Sequence, residues 1–245
     1  DRAHWGLAES YWNRGETELA VEHMEQAVRL SAGDPKMVQR LGRMYVEIGR
    51  LEDAKFHSLW ALESERDSAQ AWALYGDCLL AAAGTSDATH PALQPSLSAY
   101  HRALALQPDY PKVQQTAAEI YSTQQRYDRV LATLDRLHDG IGSAAAPARV
   151  DLLRGIALKQ EGRTEDAKES FRRAIAKDGN NPDPLIELAS LELQDRKVDQ
   201  SRATLQRAAN LAPERFEDGI LRQQFQEEEQ RLAREKTIED SLQRR

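Results

Sequence analysis

Six histidines, one cysteine and 40 acidic side chains are the groups of this 245-residue chain best equipped for chemistry. A zinc site needs three or four donors at about 2 Å from the metal. Cys78 stands alone, which excludes an internal disulfide and any cysteine cage. His23 and His57 lie 34 residues apart, and His90 has only Asp87 for company, so neither pair makes a ligand set. The carboxylates are as numerous as a chain with 30% charged residues implies. No pair is enclosed by an apolar run that would tune it for general acid–base work. Serine, histidine and aspartate occur without a G-x-S-x-G elbow. The stretch Gly140–Pro147, GIGSAAAP, has the glycines of a phosphate loop but no strand before it and no G-x-x-x-x-G-K pattern. It reads instead as a flexible linker. The expectation is a protein that is not an enzyme, with no metal and no cofactor.

The elements that would position these groups are helical. Hydrophobic residues make up 40% of the chain, Ala and Leu dominate them, and β-branched runs are nearly absent. A 34-residue offset relates Leu7 to Leu41, Tyr11 to Tyr45, Gly15 to Gly49, Ala20 to Ala54 and Ala27 to Ala61. The register continues through Trp72, Tyr75 and Gly76. It resumes late, at Tyr100 and Ala103, an insertion of about eight residues centred on AGTSDATHPALQP accounting for the delay. A degenerate fourth unit runs from Pro111 through Ala118 and Tyr121. A fifth carries Gly155, Gly162, Ala167 and Phe171, and a sixth carries Leu188, Ala189, Ala208 and Pro213. Each unit reads as two helices of about a dozen residues. Gly15, Gly49 or Gly162 marks the turn, and Pro35, Pro111 or Pro182 opens the next pair.

This pattern resembles the tetratricopeptide repeat, W-x-x-L-G-x-x-Y followed by A-x-x-x-F and then A and P. The resemblance covers residues 1–213, with His4, Val38, Gln114, Asp151 and Leu185 where the aromatic is usual and Trp72 keeping it. It implies an all-α, right-handed superhelical solenoid of six units, at 1–34, 35–68, 69–110, 111–147, 148–181 and 182–213. The small residues Ala8, Gly42, Gly76, Ala118, Gly155 and Ala189 would let paired helices approach closely. Residues 214–245 turn strongly charged, with Ile220, Leu221, Phe225, Leu232, Ile238 and Leu242 spaced along them. They read as a capping helix; a coiled-coil seam, and self-association through it, is the alternative.

The resemblance also implies where a partner would lie, because first helices line the concave face. The residues there expected to meet a protein or peptide ligand are Trp5, Trp12, Lys36, Gln39, Arg43, Asp77 and Lys112. Lys36 and Arg43 would take an acidic segment, Trp5 or Trp12 an apolar anchor, and Gln39 an extended backbone. The alternative for the two tryptophans is packing against a further repeat. The carboxylate clamp of chaperone-binding relatives is not matched, since Trp5, Glu9, Arg40, Gln70 and Leu74 occupy its positions. A net charge of -7 argues against nucleic acid or an anionic membrane as partner. No apolar stretch approaches a membrane span, Cys78–Ala83 being the nearest. The compartment is left open. The Ala- and Arg-rich, Lys-poor usage suggests a bacterial origin. The chain opens on Asp1, as a processed protein or a piece of a longer one would. The reading is a non-catalytic interaction scaffold or adaptor. Its rival is a regulatory or substrate-presenting region of a larger enzyme or a secretion or assembly machine.

Overall fold

The computed structural model describes residues 1–83, 89–216 and 220–243, with side chains in the last helix for 222, 223 and 225–234 only. Expectations for residues 84–88 of the insertion, Asp87 among them, and for the side chains of Ile220, Leu221, Ile238 and Leu242 fall outside these residues. All described regular structure is helical. The chain divides into two compact units, Asp1–Arg126 and Tyr127–Arg245.

The first unit holds α1 (Arg2–Asn13), α2 (Thr17–Leu30), α3 (Pro35–Glu47), α4 (Leu51–Ser64), α5 (Ala69–Ala83), α6 (Leu93–Leu106) and α7 (Pro111–Thr123). α1 packs on α2, α3 on α4 and α5 on α6, while α2, α4 and α6 each also touch the helix that follows, and α3 touches α5. Proline starts α3 and α7, where the missing N–H costs nothing, and the Asp34 carboxylate caps α3 by accepting from the amides of Lys36 and Met37. Ala8, Ala20, Ala27, Leu41, Met44, Ala54 and Leu74 are buried in the core of this unit. A single helix pair could not bury its apolar face alone, so stacked neighbours complete it.

The second unit holds α8 (Tyr127–Ile141), α9 (Ala148–Gln160), α10 (Thr164–Lys177), α11 (Asp183–Gln194), α12 (Val198–Leu211), a 3-10 turn at Pro213–Phe216, and α13 (Ile220–Gln243). α9 packs on α10 and α11 on α12, with α8 against α9 and α10 against α11. Phe171, Leu158 and Leu188 centre one core cluster; Leu185, Ala208 and Phe216 centre another. α13 touches α11 and the 3-10 turn, buries Leu232, and its Glu229 pairs with Arg202 of α12.

Close helix approach depends on missing side-chain atoms. A methyl group on Gly76 would fall 2.7 Å from the Tyr100 ring, and one on Gly155 would fall 2.5 Å from the Phe171 ring. The turns between helices reach the left-handed region at Gly15, Gly49 and Gly162 (φ +77°, +77° and +74°) and, without glycine, at Gln125 and Arg196 (φ +57° and +63°).

Two expectations need correction. Leu93–Pro95, assigned to the insertion, form the first turn of α6, with Leu93 buried; Pro95 sits early enough in the helix to need no N–H partner. GIGSAAAP is not a flexible linker. Gly140 and Ile141 end α8, Gly142 donates its N–H to the His138 carbonyl at 2.8 Å, and Ala146 is buried. Lys177 Nζ then ties the segment down through the carbonyls of Ser143 (2.5 Å) and Ala146 (2.7 Å).

Candidate functional site

Arg43, Asp77 and Lys112, which lie far apart in sequence, come together in the first unit. α3 supplies Arg43, Val46 and Glu47; α5 supplies Asp77, Leu80 and Ala81; α7 supplies Lys112 and Thr116. These side chains line a hollow of about 440 Å³. The 34-residue period sets the same helix face of α3 and α5 side by side, which is why Arg43 and Asp77 meet. Val46, Leu80 and Ala81 give the hollow an apolar patch.

Asp77 is half-buried and accepts a hydrogen bond from the Tyr100 hydroxyl at 2.7 Å. Burial raises its pKa, and the Tyr100 hydroxyl and the charges of Lys112 and Arg43 work the other way. Tyr100, itself fully buried, fixes the carboxylate between the two cations, and its own hydroxyl pKa is pushed up, chiefly by burial and then by Asp77. Asp77 therefore shares the hollow with Arg43 and Lys112, whose charges act on its carboxylate. Lys112 is exposed and Arg43 half-buried, so both can reach a bound carboxylate.

The other expected binding residues are placed differently. Gln39 is buried and donates to the Ser68 hydroxyl at 3.2 Å, which joins α3 to the start of α5; it does not present its amide to a ligand backbone. Trp5 and Trp12 are half-buried against the core of the first unit. The Trp12 ring lies 5.5 Å from the Arg40 guanidinium, which binds Glu9 through Nε (2.7 Å) and Nη2 (2.9 Å). Trp12, Arg40 and Glu9 thus form an α1–α3 clasp whose cation already has its carboxylate. Lys36 is exposed at the first turn of α3. Neither tryptophan nor Lys36 lines the hollow.

Sequence reasoning did not reveal the stacking of second-helix histidines on first-helix tyrosines. His23 stacks on Tyr11, His57 on Tyr45 and His101 on Tyr121, and Arg14, Arg50 and Arg126 lie over the same three tyrosine rings. Two of the tyrosines reach back twenty residues, Tyr45 to Glu25 and Tyr121 to His101, each at 2.6 Å. The recurrence of His23 and His57 at one register was the available signal. His23 pairs with His4, ring nitrogens 3.0 Å apart, and not with His57. No cluster of three or more metal-binding side chains occurs among the described residues. No described helix is long and apolar enough to cross a membrane.

An all-α array of stacked helix pairs with a lined hollow on its first helices is the architecture of a protein-interaction scaffold. Tetratricopeptide-repeat profiles match residues 1–35 and 158–218. These two matched segments, together with the repeat fold, support the tetratricopeptide-repeat superfamily. Among solved structures it is similar to TTC0263, a thermophilic repeat protein of Thermus thermophilus (15% identity, TM-score 0.59, 78% of this chain and 98% of that one). It is also similar to pilF of Pseudomonas aeruginosa (22%, 0.61, 81% and 91%) and to YrrB, a repeat protein with an unusual peptide-binding site (14%, 0.63, 79% and 94%). Curated protein sequences gave no match.

Proposed function

We propose that this chain is a non-catalytic scaffold that holds an extended segment of a partner protein in the hollow between α3, α5 and α7. The segment carries a carboxylate for Arg43 and Lys112 and, beside it, an apolar side chain for Val46, Leu80 and Ala81. The observation that carries this reading is the half-buried Asp77, fixed by Tyr100 between two cations over an apolar patch. The hollow falls within the range of about 300–1,000 Å³ of sites that enclose a ligand group. YrrB supports the reading only by analogy, as a protein of this fold that binds a peptide.

The test is selection of displayed peptides on the wild-type chain and on Arg43→Glu in parallel. The wild type is expected to enrich sequences with Asp, Glu or a free C-terminus next to an apolar residue, and Arg43→Glu to lose that enrichment. Equal enrichment on both proteins would remove the hollow from consideration.

A further inference from the structure

The second helices of the first two pairs carry a different surface. α2 and α4 each bear three acidic residues against one basic, so this side of the unit is electronegative. Between α2, α3 and α4 lies a hollow of about 340 Å³ walled by the rings of Tyr45, His57 and Trp60 and by Glu25. The His57 ring stands 5.4 Å from that of Tyr45 and 5.7 Å from that of Trp60. Trp60 can sit there because Gly33, at φ +83°, has no side chain: a Cβ would lie 2.6 Å from Trp60 Cζ2. Phe56, 64% exposed, extends the aromatic surface outward with its ring 6.3 Å from Trp60.

The carboxylate of this hollow is only partly engaged. Glu25 Oε1 accepts from the Tyr45 hydroxyl at 2.6 Å, whereas Oε2 lies 3.7 Å from Arg29 Nη1, beyond hydrogen-bond reach. The buried His57 Nδ1 has no hydrogen-bond partner among the described residues. Aromatic faces beside a carboxylate recognise cations, and a planar guanidinium stacks on indole while donating to carboxylate oxygen. Arg50, 4.5 Å over the Tyr45 ring, shows that this cluster already holds one guanidinium. We propose that the hollow between α2, α3 and α4 is a second binding site, which takes an arginine side chain from a basic segment of a partner protein, with an adjacent apolar residue resting on Phe56. Arg29, exposed at the rim and loosely paired with Glu25, is the chain's own competitor for the place.

The experiment uses the whole chain, a dye-labelled peptide with one arginine between leucines, and its twin with uncharged citrulline. Anisotropy is read at about 0.15 M salt, where non-specific attraction to an acidic protein is screened. The arginine peptide is expected to bind about tenfold more tightly than the citrulline peptide, and Glu25→Gln to weaken it about fivefold or more. Arg29→Ala, which frees Glu25, should tighten binding about threefold, and Glu47→Gln, at the first-helix hollow, should leave it unchanged. Citrulline binding as well as arginine, or no binding by either peptide, would overturn the proposal. So would loss on Glu47→Gln with Glu25→Gln unaffected, which would move the peptide to the first-helix hollow. Should Glu25→Gln fail to fold without its Tyr45 bond, the citrulline comparison and Arg29→Ala decide the matter.

Discussion

Individual residues show how a loosely kept motif can still be obeyed. At the register position of Trp72, whose indole N–H donates to the Arg66 carbonyl at 2.9 Å, the fourth unit has Gln114. Its amide donates to the Pro108 carbonyl at 3.0 Å, again six residues back. Glutamine thus repeats the hydrogen bond of tryptophan without its bulk. Asp151, at the same position in the fifth unit, is fully buried and is answered by Arg173 (3.0 Å) and Lys177 (2.5 Å). The Gln114 substitution looks like decay when only residue types are compared, because the bond it conserves ends on a backbone carbonyl that no sequence displays. Cys78 was legible as a small helical residue, and it is buried, with a thiol pKa pushed up to about 12 chiefly by burial. A neutral, enclosed thiol does not attack. Maleimide labelling near neutral pH should therefore wait for unfolding, its rate rising in step with urea denaturation of the first unit. Prompt labelling in buffer would show that α5 is not seated as described.

Among elements, the turns are where local sequence and structure part. The glycines at 15, 49 and 162 announced left-handed turns, whereas Gln125 and Arg196 adopt that conformation with no such signal; at Arg196 the turn joins the packed pair α11 and α12. A side chain held in this region is strained by about 1 kcal/mol relative to glycine. Arg196→Gly should accordingly raise stability by up to about 1 kcal/mol, and Gly162→Ala should lower it by about 1 kcal/mol. Urea denaturation of both variants checks the pair, and a destabilised Arg196→Gly would refute the strain. The α10–α11 junction makes a second prediction. Lys168 is buried and bonds both Glu165 and Asp195. Burial alone would lower its pKa, but these bonds outweigh it and raise it, while Asp195 is held below its usual value, chiefly by Lys168. The lysine's share of stability is thus complete below its unfolded pKa of about 10.4 and lost as pH rises through the folded one. The aspartate's share is complete above about 3.9 and lost as pH falls through the folded value. Lys168→Met should cost about 2 kcal/mol near neutral pH and flatten the decline at both extremes. An unchanged pH profile of the urea midpoint would show that the pair contributes nothing.

For the whole molecule, the helical array was legible from the 34-residue recurrence alone, because every unit must bury the same stripe against its neighbours. The first-helix hollow was legible in part. The recurrence put Arg43, Asp77 and Lys112 on one helical face, but it also put Gln39, Trp5 and Trp12 there. Only the packing shows that Gln39 is engaged by Ser68 and Trp12 by Arg40. A face is a statement about periodicity; availability depends on neighbours from other units. The most direct measurement of the central claim is a calorimetric titration of the peptide most enriched on the wild type. It is to be run against wild type, Arg43→Glu and Lys112→Glu, with the melting of each protein recorded. If the hollow between α3, α5 and α7 holds the ligand carboxylate, Arg43→Glu should weaken binding by about 2 kcal/mol, and a peptide with Lys in place of its acidic residue should recover part of that loss. The melting temperatures should stay close together, since Arg43 and Lys112 face away from the core. Equal affinity for all three proteins, or no recovery by the charge-reversed peptide, would contradict the assignment.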